Sequence, residues 1–318
     1  MSNYRKALPQ VSNELFMTDG GLETTLIYHD GVDLPLFAAF HLLRDAHGTA
    51  VLRRYFDRYA RIAQAHGLPI VLESPTWRAN AEWGARLGYD ADALARANRQ
   101  AIELMREVRD RLAASGLRSV ISGNIGPRGD GYRPDSGMSP LQAYAYHAAQ
   151  VSTFARTEAD MVAAFTMNYV EEAIGIATAA KMFEMPVAIS FTVETDGRLP
   201  SGQPLTDAIA QTDDETSGHP AYYMINCAHP THFAHVLRGD LDWLERIRGI
   251  RANASMRSHA ELDASTDLDA GDPERLGAEY GELAQALPHL SVVGGCCGTD
   301  HRHIDAICAA LAREVSIA

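Results

Sequence analysis

Short apolar runs alternate along the chain with longer segments in which apolar residues recur at helical spacing. The runs centre on Leu15–Met17, Ile70–Leu72, Val120–Ser122, Met161–Phe165, Val187–Phe191, Tyr222–Ile225, Gly249–Ala252 and Ser291–Val293. Each is short and apolar on both faces, as strands covered on both sides of a parallel sheet are. Between the first two runs, Thr49–His66 sets Val51, Leu52, Tyr55, Phe56, Tyr59 and Ile62 on one stripe with arginines opposite. Similar periodicity predicts helices over Asp90–Ala114, Ser139–Thr157, Val170–Phe183, Leu205–Gln211, Thr231–Leu237 with Leu241–Ile247, Pro273–Leu287 and His301–Arg313. Ser139-Pro140 and Asp272-Pro273 each read as a cap followed by a first-turn proline, and Gly67 closes the first long helix.

This alternation, uninterrupted by any Ser/Gly-rich linker, predicts an α/β fold: one (β/α)8 TIM barrel over residues 1–318. A doubly wound open sheet would want a glycine-rich phosphate turn after the first strand, and Asp19-Gly20-Gly21-Leu22-Glu23 does not read as G-x-G-x-x-G. Two stretches exceed ordinary loop length, Val193–Pro220 and Ala254–Asp272. The second carries Glu261, Asp263, Asp267, Asp269 and Asp272, and reads either as a solvated excursion or as a lid over the site.

Composition narrows the partners. A net charge of −13 without a basic cluster argues against nucleic acid and anionic membrane surfaces. No apolar run approaches the ~20 residues needed to span a bilayer. Met1–Phe16 lacks the apolar core of a secretion signal, so a cytoplasmic protein is expected. Self-association is left open.

Barrel chemistry sits where strands end. Those positions hold Asp19, Glu73, Trp77, Asn124, Phe165, Thr166, Glu194, Asn226, Cys227, Asn253 and the run Gly294-Gly295-Cys296-Cys297-Gly298. Three of the four cysteines thus fall on one rim, while Cys308 lies on the apolar face of the last helix and reads as core. Three converging thiolates suit zinc with a fourth position open, and the flanking glycines let adjacent cysteines face one ion. A vicinal redox pair, or thiols packed under the rim, are the other readings. His229, His232, His235, His301 and His303 form a rival ligand set; His232 and His235 read as polar surface near a helix start.

Taken together, Asp19-Gly20-Gly21, Gly123-Asn124-Ile125-Gly126-Pro127, Asn226-Cys227 and Gly294-Gly295-Cys296-Cys297-Gly298-Thr299 resemble the zinc-dependent homocysteine S-methyltransferases over essentially the whole chain. The resemblance implies that Cys227, Cys296 and Cys297 hold Zn2+ and that its open position takes the thiol of homocysteine. It also implies that Asp19, Gly20 and Gly21 contact the amino-acid substrate, with Phe165, Thr166, Asn226 and Trp77 beside it. The expected reaction is methyl transfer from S-methylmethionine or S-adenosylmethionine to homocysteine, giving methionine. Betaine-dependent relatives are longer, and folate-dependent ones carry further modules.

Three departures qualify this. Phe165 stands where the family usually places the glutamate that meets the homocysteine ammonium, with Glu172, Glu73 and Glu194 as candidate replacements. Arg251-Ala252-Asn253 replaces the common Tyr-Pro-Asn, and Thr76-Trp77-Arg78 replaces Thr-Tyr-Gln. Trp77 either faces a cationic methyl donor or packs against a loop. The alternatives are the same chemistry on another small thiol or selenol, and a zinc-binding barrel without turnover.

Overall fold

A computed structural model describes residues 2–12, 14–134, 137–237 and 242–315. Eight parallel strands close a barrel in sequence order: β1 (Phe16–Met17), β2 (Ile70–Glu73), β3 (Ser119–Ile125), β4 (Met161–Met167), β5 (Val187–Phe191), β6 (Tyr222–Asn226), β7 (Ile247–Ala252) and β8 (Val292–Gly295). Closure comes from β1 against β8, with Phe16 opposite Val292 and Met17 opposite Val293. This is the expected TIM barrel.

Strand residues alternate between two cores because successive side chains leave opposite faces. Phe16, Val71, Val120, Met161, Ala163, Phe165 and Met224 fill the barrel. Met17, Ile70, Leu72, Val162, Ala164 and Ile225 point outward and pack under the helices. Both faces of each strand are therefore apolar, which is why the runs show no polar alternation.

The helices start and stop on their predicted signals. Ala46–His66 begins where Asp45 accepts from Gly48 N at 2.8 Å and ends at Gly67, whose φ of 64° suits a residue without Cβ. Pro140–Ala155 carries a capping box between Ser139 and Gln142, and Asp272 caps Pro273–Ala286. Differences lie in irregular regions. The expected Thr231–Leu237 helix shrinks to Pro230–Phe233. A 3-10 turn over Asp242–Arg246 takes the place of its continuation, because Ile247 is drawn into β7 opposite Tyr223; Leu241 lies outside the described residues. The long acidic stretch contains a helix, His259–Asp263, closed by its own capping box of Ser258 and Glu261. Among the described residues, no helix is long and apolar enough to cross a membrane.

Candidate functional site

The C-terminal mouth of the barrel is built by backbone that bends away from ideal strand geometry. Cys227 follows β6 with φ 55°, and Thr166, inside β4, has φ 64° where the β4–β5 register shifts. Each left-handed non-glycine residue costs roughly 1–3 kcal/mol, so surrounding bonds must hold it. Cys227 N donates to Arg251 O at 3.2 Å, and Asn226 holds Thr166. Its Oδ1 accepts from Thr166 N at 2.9 Å and from Ser190 Oγ at 2.7 Å, and its Nδ2 donates to Thr166 Oγ1 at 2.9 Å. The result aims Cys227 into the mouth, with Thr166 Oγ1 3.8 Å from its sulfur.

The tandem cysteines are set by packing against the first loop. A Cβ on Gly21 would collide with Thr24 Oγ1 and the Cys296 carbonyl, so only glycine allows this approach. Gly21 N donates to Thr299 O at 3.0 Å, Thr299 Oγ1 donates to Cys296 O at 2.7 Å, and Gly298 turns the chain at φ 79°. The sulfurs of Cys227, Cys296 and Cys297 lie within 4.8 Å of one another. Cys227 and Cys296 are joined as a disulfide, with Cα atoms 5.4 Å apart. Cys297 is free, its sulfur 3.6 Å from the Tyr132 hydroxyl, and burial raises its thiol pKa. Tyr132 in turn stacks on His259, whose Nε2 meets the Cys227 carbonyl at 2.6 Å.

This donor set fits a soft divalent ion. A tetrahedral zinc with Zn–S bonds of about 2.3 Å places its sulfurs about 3.8 Å apart, within reach of the observed spacing once the disulfide is reduced. The histidines do not join the sulfurs. His229 pairs with Glu279 at 3.2 Å, and burial lowers its pKa to about 4. His232 is not the surface residue its helical spacing predicts: it is buried, with Nε2 2.9 Å from Met256 O in the covering segment. Cys308 is buried as expected.

A charged pair sits beside the sulfurs. Arg251 Nη2 donates to Asp19 Oδ1 at 2.7 Å, and Tyr55 donates to Asp19 Oδ2 at 2.9 Å. The same guanidinium lies 5.1 Å from the Phe165 ring centroid and donates from Nε to Gly295 O at 3.0 Å. Burial lifts the carboxyls of Glu23 and Glu73 to about 7 each.

These groups surround a cavity of about 390 Å³. The ten residues that the resemblance places at the site line it, Asp19, Gly20, Gly21, Trp77, Phe165, Thr166, Asn226, Cys227, Cys296 and Cys297, whereas the strand-end candidates Glu194 and Asn253 do not. Trp77 lines the cavity beside β4, its Nε1 3.4 Å from Phe165 O and its ring under Arg78 at 4.6 Å. Of the three candidate acids, Glu73 borders the cavity. Glu172 is instead committed to His147 and to Arg128 N, each at 2.8 Å, and Glu194 pairs with His259 at 3.3 Å. The acidic stretch covers the mouth, with Leu262, Asp263, Asp267 and Asp269 facing in. Sequence reasoning missed Tyr132, which belongs to no periodic segment; neighbouring Gly131 was its only local signal.

The sequence model of the homocysteine S-methyltransferase family matches residues 16–311. The homocysteine methyltransferase MmuM of Escherichia coli is similar in fold. Its oxidized form gives a TM-score of 0.73 at 20% identity, covering 93% of this chain and 95% of that one. Its metallated form gives 0.71 at 20% identity, covering 93% and 96%. Over 144 residues, 41% of the chain, it is 33% identical to the methionine synthase of Mycobacterium leprae (strain TN). The match spans only 10% of that relative's length.

Proposed function

Because the chain belongs to the homocysteine S-methyltransferase family, we propose that it transfers a methyl group from a small onium donor, S-methylmethionine or S-adenosylmethionine, to the thiol of homocysteine and releases methionine. One observation carries this reading: three cysteine sulfurs within 4.8 Å of one another, bordering a cavity large enough for a small thiol and its donor. Cys227, Cys296 and Cys297 would hold zinc. A bound zinc ion would turn an incoming thiol, whose free pKa is about 8.5, into a thiolate at neutral pH.

The remaining work falls to the chain. Asn226 keeps Thr166 in its left-handed turn and the Arg251 carbonyl holds the Cys227 backbone, so once the disulfide is reduced the backbone already points the sulfurs at one place. With Cys297 as a thiolate, the Tyr132 hydroxyl 3.6 Å away would donate to it and fix that sulfur. Phe165 and Trp77 line the cavity with apolar surface that excludes water from the transfer path. Asp263, Asp267 and Asp269 face the mouth, where their charge favours a cationic donor.

The test is a matrix of thiols against donors on reduced, zinc-reconstituted protein. Methionine formed from homocysteine and S-methylmethionine supports the reading. Transfer only to a different thiol or selenol, the outcome Phe165 favours, would replace the substrate. One equivalent of zinc with no turnover on any thiol would leave a binding barrel and refute transfer. Metal uptake should require reductant, because the disulfide occupies two of the three sulfurs; stoichiometric zinc on oxidised protein would overturn the ligand set.

A further inference from the structure

Two acids from the strand ends border the cavity, and they differ in what they are bonded to. Asp19 is committed, with Oδ1 on Arg251 and Oδ2 on Tyr55. Glu73, the last residue of β2, is 4% exposed, and its Oε2 has no hydrogen-bond donor. One strand over, Oδ1 of Asn124 in β3 is buried and equally without a donor. Both residues line the cavity. Buried acceptors are rarely left unmet, and two on neighbouring strands facing one cavity call for a group that only donates. An ammonium has three donors and no acceptor. Glu23 and the covering segment's Asp263, Asp267 and Asp269 also border the cavity, but the β1 and β4 strand ends do not compete for it. Phe165 offers no side-chain acceptor, and Arg251 repels a cation from the Asp19 side.

We propose that Glu73 is the ammonium anchor of the amino-acid thiol, with Asn124 as second acceptor, so that the β2–β3 edge sets the preference for thiols bearing an amino group over amino-free ones. This rests on the methyltransferase reading above. Burial holds the Glu73 carboxyl up near 7, so its charge is best stabilised when a cation arrives.

Methionine and 4-(methylthio)butanoate differ only by the ammonium, so their relative affinity isolates this contact. Each is titrated calorimetrically into the reduced full-length protein, with and without zinc, as wild type, Glu73→Gln and Asn124→Ala. The wild type should prefer methionine by about thirtyfold or more, and Glu73→Gln should cut that ratio by about tenfold or more, as loss of a charge-assisted bond does. Asn124→Ala should cut it by about threefold. Melting midpoints check folding; if Glu73→Gln does not fold, Glu73→Asp, which withdraws the charge by one methylene, takes its place. A wild type that binds both ligands equally or neither, or a variant that keeps the full preference, overturns the anchor. Methyl transfer to homocysteine with that preference intact in Glu73→Gln would sink the anchor and leave the reading standing. Methionine held through Glu73 with no transfer to any thiol would do the reverse.

Discussion

The two ends of this barrel treat a buried carboxylate at a strand end, Asp160 at one and Glu73 at the other, in opposite ways. At the N-terminal floor, Asp160 is fully buried and spends its carboxylate on three backbone donors: Asn3 N at 2.6 Å, Tyr4 N at 2.8 Å and Ile121 N at 2.9 Å. Arg5 donates to the carbonyls of Ala155, Thr157 and Ala159, so the N-terminal segment is stapled across the barrel end. At the C-terminal mouth, Glu73 and Asn124 keep acceptors without donors, and Thr166 and Cys227 sit in left-handed backbone. Arg5 Nε, Gln10 Oε1 and Ser119 Oγ at the floor also lack partners, so the contrast is between the carboxylates: Asp160 is met by backbone donors, whereas Glu73 keeps an unmet oxygen beside strained backbone at a site shaped for a ligand.

That contrast can be broken by mutation. The largest expected effect is at the mouth: Cys297→Ala should lower methyl transfer by about three orders of magnitude, the several kcal/mol of a lost Lewis acid, while the melting midpoint holds. Stoichiometric zinc in that variant, read by metal analysis, would reject Cys297 as a ligand. At the floor the balance should invert. Asp160→Ala should cost roughly 3 kcal/mol in denaturant unfolding, with kcat preserved per folded molecule; a loss of kcat without a loss of stability would erase the distinction between the two ends. The acids of the mouth should also mark the pH dependence of stability. Burial raises Glu73 from 4.5 to about 7, so between those values the unfolded chain has released a proton that the fold retains, and stability falls as pH rises through that window. Glu23 acts in the same direction. Glu73→Gln should flatten the slope, and an unchanged slope would show that Glu73 ionises normally. The smallest effect belongs to Phe165→Glu. The new carboxylate would meet Arg251, which now lies over the phenyl ring. Homocysteine KM should therefore move by less than about threefold; a larger tightening would return the ammonium to β4 and away from Glu73.

Much of this was legible in the chain itself. Strand runs such as Met161–Phe165 and Val187–Phe191 stand out because barrel strands are apolar on both faces, and the ten residues that the resemblance places at the site sit at strand ends or in the turns that follow them. What escaped depends on contacts distant in sequence. His232 looked like surface because helical spacing says nothing about the segment that later covers it with the Met256 carbonyl. Tyr132 lies in an aperiodic loop, and nothing local places it beside Cys297.

Hydrophobic periodicity and cap residues, both local properties, determined by themselves that strands and helices alternate and that three cysteines share one rim. Barrel closure decided the rest. By bringing β1 beside β8 and, across it, β7, it joins Asp19 to Arg251 over 232 positions of chain. That pairing, which consumes one acid of the mouth and leaves Glu73 with an unmet oxygen, is a matter of three-dimensional geometry and buried charge that no window of sequence contains.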